Sequence, residues 1–132
     1  TLIQSARSYI YTTATPPLLS HALLRSLTLI EQEEWRRERL SQLIVQLRKG
    51  LQSLRWKLLP SATPIQPLIV GSNDAALQLS EALRECGILV PAIRPPTVPQ
   101  STARLRISLS ASHSMADVEL LVAALRELES NS

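Results

Sequence analysis

Phenylalanine is absent from this chain of 132 residues, and aromatic residues make up only 3% of it, although 45% of the residues are hydrophobic. An interior built from this composition has to be aliphatic, made of leucine, isoleucine, valine and alanine. No apolar run approaches the roughly 20 residues that a bilayer-spanning helix needs, and no signal peptide opens the chain. We therefore expect one domain with a modest core and no membrane segment.

Cysteine and histidine are also scarce, with one cysteine and two histidines. Cys86 is the only cysteine, so a disulfide within the chain is impossible and a cytoplasmic setting fits. A catalytic cysteine needs a neighbouring histidine or other cation, and nothing in the sequence supports that pairing. His21 and His113 lie far apart without companions at metal-ligand spacing, which argues against a zinc site. The net charge of +3 comes from bases mixed with acids, without interleaved stacking aromatics, and this argues against a nucleic-acid partner.

The most informative stretch is 92–110, AIRPPTVPQSTARLRISLS, which carries three arginines. Two prolines follow Arg94 and place it in extended chain. Apolar and polar residues then alternate over 103–110, which predicts a strand with Arg104 and Arg106 together on the face opposite the core. A guanidinium fork matches a carboxylate or a phosphate. The stretch is therefore a candidate anion site, and the alternative is that its arginines only solvate the outer face of a sheet.

A long helix is predicted for residues 16–50. Thr15 offers a hydroxyl N-cap ahead of two prolines, apolar residues recur at helical spacing, and Gly50 is the expected stop. Such a helix would be about 50 Å long at about 1.5 Å per residue, longer than a compact domain of this size. We expect half of it to pack against a neighbouring domain or subunit, and a kink near Glu33 is the alternative.

The remaining sequence predicts a small α+β layer. Pro67 indicates an edge strand or a bulge, and Ser114 with Asp117 predicts a capping box at the start of the last helix. We expect a mainly antiparallel three-stranded sheet that helices cover on one side. Strand signals occur at 64–70, 88–93 and 103–110, with a weak one at 56–59, and a further helix is predicted at 75–85.

Four segments, IYTTATPP, PIQPLIVG, AIRPPTVP and TARLRISLSASH, together resemble the pyridoxal-phosphate-dependent α-oxoamine synthases. The resemblance covers essentially the whole chain. It implies the C-terminal part of a fold-type-I subunit, in which 1–15 end the large cofactor domain, 16–50 form a helix between domains and 51–132 form the small α+β domain. We accordingly expect the sequence, which starts at Thr1 without a methionine, to be part of a longer protein.

The resemblance implies a homodimeric acyltransferase that uses pyridoxal 5'-phosphate. The Arg-Pro-Pro segment is most similar to the branch that condenses L-alanine with pimeloyl-CoA, or with a pimeloyl carrier protein, with loss of CO2 in biotin biosynthesis. Branches of the glycine C-acetyltransferase or 5-aminolevulinate synthase type are the alternative inside the family. A free-standing module that binds an anion or a partner protein is the alternative outside it. Lys49 and Lys57 are the only lysines and neither matches the family's Schiff-base motif, so we expect no catalytic residue here and no activity from this chain by itself.

Candidate binding residues follow from the same resemblance. Arg106 aligns with the arginine that binds the α-carboxylate of the amino-acid substrate. Arg94 aligns with an arginine at the entrance of the active site, where it is expected to meet the acyl substrate or the product carboxylate, and Arg104 is expected to be structural. Thr12 and Thr13 align with hydroxyl residues that reach the cofactor phosphate from the partner subunit. The alternative for these threonines is an ordinary hydroxyl-rich turn before a helix.

Overall fold

The computed structural model of the chain describes Ser5, Ala14 and residues 16–130. It divides into two units, and the second begins at Trp35. No described helix is long and apolar enough to cross a membrane. The first unit contains helix α1 (Pro17–Gln32), and the second contains α2 (Trp35–Leu51), β1 (Lys57–Leu58), β2 (Ile65–Gly71), α3 (Asn73–Glu85), β3 (Ala92–Ile93), β4 (Ala103–Ser108) and α4 (Met115–Ser130).

The stretch predicted as one helix, 16–50, forms two helices instead. Glu33 leaves helical geometry at φ −111° and ψ 56°, while its N–H still donates to the carbonyl oxygen of Leu29 at 2.9 Å. The expectation of an unbroken helix is therefore wrong, and the interruption near Glu33 is the alternative that the structure adopts.

The sheet has four strands in the order β1-β2-β4-β3, and every pair is antiparallel. The predicted number of three is too low because the weak signal at 56–59 forms β1, a short edge strand that pairs Lys57 with Ile69. The predicted strand at 88–93 is reduced to the two residues of β3. An α+β layer with a small antiparallel sheet is thus confirmed, with one more strand than expected.

Pro67 lies in β2, which has a neighbour on both sides, so the prediction of an edge strand is wrong. Its carbonyl oxygen accepts a hydrogen bond from the N–H of Leu59 at 3.0 Å. The nitrogen of Pro67 faces the same side, where β1 has just ended, and so its missing N–H removes no bond to β4. The irregularity in pairing with β4 lies further along, between Ile69 and Gly71.

Three helices cover one face of this sheet. The last two helices are capped at their N-termini: the Ser72 hydroxyl accepts from the N–H of Ala75 at 3.2 Å. Ser114 and Asp117 exchange two hydrogen bonds, which confirms the capping box. The hydrophobic core between helices and sheet is aliphatic apart from Trp56, and the polar Gln66 is fully buried beside it. The largest fully buried apolar side chains are Leu43, Leu47, Leu51, Leu68, Leu83, Leu105 and Leu125.

Candidate functional site

Strand β4 separates its apolar and charged side chains as the sequence predicts. Ala103, Leu105 and Ile107 face the core and are 0%, 0% and 2% exposed. Arg104 and Arg106 project from the opposite face, the first half-buried and the second exposed. Since β4 is paired on both sides, the backbone that carries these arginines is held in the centre of the sheet.

The strand register determines which residues surround the two arginines. Pro67 lies opposite Arg106, while Ile69 on one side and Ile93 on the other lie opposite Arg104. We call this surface the outer face. It combines three positive charges, those of Lys57, Arg104 and Arg106, with an apolar floor, which suits an anionic group attached to a small apolar body. By register and alternation the outer face comprises Lys57, Ile65, Pro67, Ile69, Ile93, Arg104, Arg106 and Ser108.

The guanidinium of Arg104 is engaged by its own chain. Its Nε donates to the carbonyl oxygen of Thr102 at 3.0 Å, and one terminal nitrogen donates to the hydroxyl of the same residue at 3.1 Å. The Thr102 hydroxyl in turn donates to the carbonyl oxygen of Pro99 at 2.7 Å. Two of the five donors of Arg104 are therefore committed to the loop that precedes β4.

Arg106 differs from Arg104 although only two residues separate them. Its backbone N–H donates to the carbonyl oxygen of Pro91 at 2.9 Å, which fixes the origin of the side chain. Within the described part of the chain, its guanidinium has neither a hydrogen-bond acceptor nor a carboxylate partner. None of the described residues therefore engages the fork of Arg106, which is exposed.

Arg94 is exposed and directly follows β3. Its carbonyl oxygen accepts from the N–H of Thr97 at 3.1 Å, so the chain turns immediately after it. Ile93, which directly precedes Arg94 in the chain, belongs to the outer face through its pairing with Arg104. Thr12 and Thr13 lie outside the described residues, and their assignment to a cofactor phosphate stays a prediction.

Other chemistry is limited in the described residues. Ser5, Ala14 and 16–130 include no group of three or more histidine, cysteine or acidic side chains that could hold a metal ion. Cys86 is free and exposed at the end of α3.

Sequence reasoning missed Thr102, whose hydroxyl links Arg104 to the loop. A hydroxyl residue two positions before an arginine on a strand is the only signal that could have indicated this link.

Comparison with solved structures confirms the predicted fold class. A crystal structure of 8-amino-7-oxononanoate synthase from Francisella tularensis matches with a TM-score of 0.78 at 31% identity, covering 98% of this chain and 38% of that one. A serine palmitoyltransferase from Sphingomonas wittichii matches with a TM-score of 0.81 at 28% identity, covering 96% and 32%. A serine palmitoyltransferase from S. paucimobilis with a bound PLP–myriocin compound matches with a TM-score of 0.79 at 26% identity, covering 92% and 31%.

Comparison with curated sequences gives higher identities. The chain is 67% identical over 129 residues to the 8-amino-7-oxononanoate synthase of Nitrosospira multiformis, covering 98% of this chain and 33% of that protein. It is 58% identical over 127 residues to that of Pseudomonas syringae pv. tomato, covering 96% and 32%. The chain therefore spans about a third of the length of these relatives. Residues 1–125 match the model of the family described as aminotransferase class I and II, and the chain belongs to that family.

Proposed function

We propose that the protein containing this chain is an 8-amino-7-oxononanoate synthase, which condenses L-alanine with a pimeloyl thioester and releases CO2. Identities of 58–67% to proteins of that name support this assignment over the serine palmitoyltransferases, which share the fold at 26–28% identity. The observation that carries the role of this chain is the free guanidinium of Arg106 on the outer face, beside an arginine that is already engaged.

In this proposal Arg106 binds the α-carboxylate of L-alanine. Two parallel N–H donors to the two carboxylate oxygens set the distance and also the plane of the substrate. Because the carboxylate is held, the substrate cannot rotate freely in the site. The bonds at its α-carbon therefore keep a fixed orientation, and one of them is positioned for reaction. The apolar floor formed by Pro67 and its neighbours suits the methyl group of alanine and lowers the local dielectric around the ion pair.

The proposal includes pyridoxal 5'-phosphate, which supplies an electron sink for bond breaking at the α-carbon when it is bound. Threonine hydroxyls and guanidinium groups are the donors that a phosphate and a carboxylate need, so the residues of this chain fit such an enzyme. We infer that Thr12 and Thr13 donate to the cofactor phosphate of the partner subunit in a homodimer. Arg94 is assigned to the carboxylate of the acyl substrate or product. We place the dimer in the cytoplasm.

The test of the carboxylate assignment is Arg106→Ala in the full-length enzyme. We expect the apparent Kd for L-alanine to rise by the equivalent of about 2–5 kcal/mol, because the substrate carboxylate loses a charge-assisted bidentate partner in a closed site. Arg106→Lys should restore little, since a point charge cannot reproduce the fork. The measurement is a spectroscopic titration of the cofactor absorbance with L-alanine.

Arg104→Ala is the matched control, because it removes the same side chain from the same face of the same strand. It should weaken alanine binding less than Arg106→Ala does. Equal losses, or a larger loss for Arg104→Ala, would show that the carboxylate is bound elsewhere. An Arg106→Ala variant that binds L-alanine normally but no longer condenses it would also contradict the assignment.

A further inference from the structure

The loop between β3 and β4, residues 94–102, consists of two hydrogen-bonded turns. The first is closed by the N–H of Thr97, which donates to the carbonyl oxygen of Arg94 at 3.1 Å. The second is closed by the N–H of Thr102, which donates to the carbonyl oxygen of Pro99 at 3.3 Å. Only Val98 separates the two turns, so a constraint on the second turn acts close to the first.

Arg104 connects this loop to the sheet. Its guanidinium binds both the carbonyl and the hydroxyl oxygen of Thr102, and that hydroxyl passes a further hydrogen bond to Pro99. The backbone of Arg104 is paired with Ile69 on one side and with Ile93 on the other. The relay Arg104–Thr102–Pro99 therefore runs from the rigid centre of the sheet into the second turn of the loop.

The chain between that turn and Arg94 has little freedom of its own. Residues 95, 96 and 99 are prolines, each with a fixed φ, and each restricts the residue that precedes it. Because few of its dihedral angles can rotate freely, fixing one end of this segment restricts the position of the other end. Anchoring Pro99 and Thr102 thus limits where Arg94 can place its side chain.

A purely structural role would not require an arginine. Within the described residues, Arg104 has no carboxylate partner, and it keeps its charge half-buried between two isoleucines. What arginine adds is a planar fork whose Nε and terminal nitrogen reach two oxygens of one residue at once. That geometry sets the orientation of Thr102 as well as its distance.

We propose that Arg104 is a positioning residue that acts through Thr102 and Pro99 to place Arg94 for the acyl substrate. The inference rests on the proposed function, in which Arg94 meets the carboxylate of the pimeloyl chain. It assigns different substrates to the two neighbouring arginines of β4. Arg106 determines the affinity for the amino acid, and Arg104 determines the KM for the acyl thioester without contacting it.

The test uses Thr102→Val, which keeps the shape of the side chain and removes its hydroxyl, with Thr102→Ser as the matched control. In the full-length enzyme Thr102→Val should raise the KM for pimeloyl-CoA about fivefold to tenfold, the effect of one or two hydrogen bonds. The Kd for L-alanine should change by less than about twofold. Hydrogen exchange at the amides of Thr97 and Thr102 should accelerate, and Thr102→Ser should behave like the wild type in every measurement.

A second variant, Arg104→Lys, tests whether the two residues act as one unit. A single ammonium cannot reach both oxygens of Thr102 in the geometry of the fork, so its KM for pimeloyl-CoA should also rise. The double variant Arg104→Lys with Thr102→Val should be no worse than the poorer single variant. Additive losses in the double variant would overturn the relay.

The outcomes separate this inference from the proposed function. Unchanged exchange at Thr97 and Thr102 in Thr102→Val would overturn the anchoring of the loop. Faster exchange with an unchanged KM for pimeloyl-CoA would overturn the positioning of Arg94. A Kd for L-alanine that rises by the same factor as the KM for pimeloyl-CoA would also overturn it. A wild-type enzyme that does not condense L-alanine with a pimeloyl thioester would instead refute the proposed function, while the exchange measurement would still decide whether Arg104 holds the loop.

Discussion

At the scale of single residues, Gly50 sets how closely α2 and α4 approach. A Cβ atom added at Gly50 would lie 2.7 and 2.9 Å from the two methyl carbons of Val122. The carbonyl oxygen of Gly50 also accepts a hydrogen bond from Arg126 of α4 at 3.1 Å. Because the glycine is followed only by Leu51 in its helix, its low helix propensity costs little where the two helices touch.

Gly50→Ala should therefore destabilise the protein. An alanine in an unobstructed helix would stabilise it by up to about 1 kcal/mol, whereas overpacking of a helix contact costs about 1–3 kcal/mol. We expect the second effect to dominate and the melting temperature to fall. Thermal unfolding followed by circular dichroism measures the change.

The companion variant for this test is Gly50→Ala combined with Val122→Ala, which removes the obstructing methyl groups. The double variant should lose less stability than the sum of the losses of the two single variants. Only the Gly50→Ala single variant contains the clash, since the double variant lacks the methyl groups of Val122. Strict additivity, or a more stable Gly50→Ala variant, would contradict close packing at this position.

At the scale of elements, the start of α4 is held by the capping box of Ser114 and Asp117. The Asp117 carboxylate accepts from the backbone N–H of Ser114 at 2.7 Å, and the Ser114 hydroxyl accepts from the N–H of Asp117 at 3.1 Å. These contacts with Ser114, first through its N–H and then through its hydroxyl, lower the pKa of Asp117 from its ordinary value of 3.8, and nearby His113 acts in the same direction. The ionised carboxylate is therefore the form that stabilises this helix end.

The lowered pKa predicts a pH dependence with a definite sign. Asp117 contributes stability above its unfolded value of 3.8, and the contribution is lost as the pH falls through its lower value in the folded protein. Asp117→Asn should lower the melting temperature at about pH 7. The difference from the wild type should shrink steadily as the pH is taken below 3.8.

Asp74→Asn provides the control for this series, because Asp74 also lies in the first turn of a helix, α3. That helix is capped by the hydroxyl of Ser72, so the substitution should have a smaller effect. A constant difference between Asp117→Asn and the wild type at all pH values would argue against the ionised cap.

At the scale of the whole molecule, α1 carries more exposed large hydrophobic side chains than any other described helix. None of its residues is buried, and even leucines at helical spacing are more than half exposed: Leu23 is 57% exposed and Leu27 is 55% exposed. Contiguous apolar surface of this kind is normally covered by other protein. The large hydrophobic side chains exposed along α1 are Leu18, Leu19, Leu23, Leu24, Leu27, Leu29 and Ile30.

A polypeptide of only these 132 residues should therefore self-associate through α1. Leu23→Glu with Leu27→Glu, one helical turn apart on the same face, should shift the sample toward monomer because each places a charge in the apolar contact. Leu120→Glu on α4, where the leucine is 57% exposed, serves as the control and should leave association unchanged. Sedimentation velocity gives the masses, and a wild-type sample that stays monomeric at all concentrations would refute the prediction.

The candidate site was predictable in part. The alternation of β4 places two arginines on one face, and that follows from the spacing of side chains in any extended strand. Which arginine is free depends on the conformation of Thr102 and Pro99, and no periodicity reports it. Even the family resemblance assigns Arg106 to a carboxylate only by alignment, whereas the contacts of Arg104 give a physical reason why the two arginines differ.

Local features were determined by the sequence itself. The capping box at Ser114, the cap at Ser72 and the left-handed Gly87 after α3 each depend on groups that lie within a few residues of one another. The apolar composition without phenylalanine likewise led to an aliphatic core. Such features need no knowledge of how distant segments meet.

Only the tertiary structure decided which segments are neighbours. The weak signal at 56–59 became a strand because β2 offers it a free edge, and Pro67 is tolerated in a central strand because its nitrogen faces the place where that short neighbour ends. Gln66, a polar residue, is fully buried because the carbonyl oxygens of Ser61 and Thr63 and the guanidinium of Arg48 satisfy its amide. Each outcome depends on hydrogen-bond partners supplied by other segments, and these partners exist only once the chain has folded.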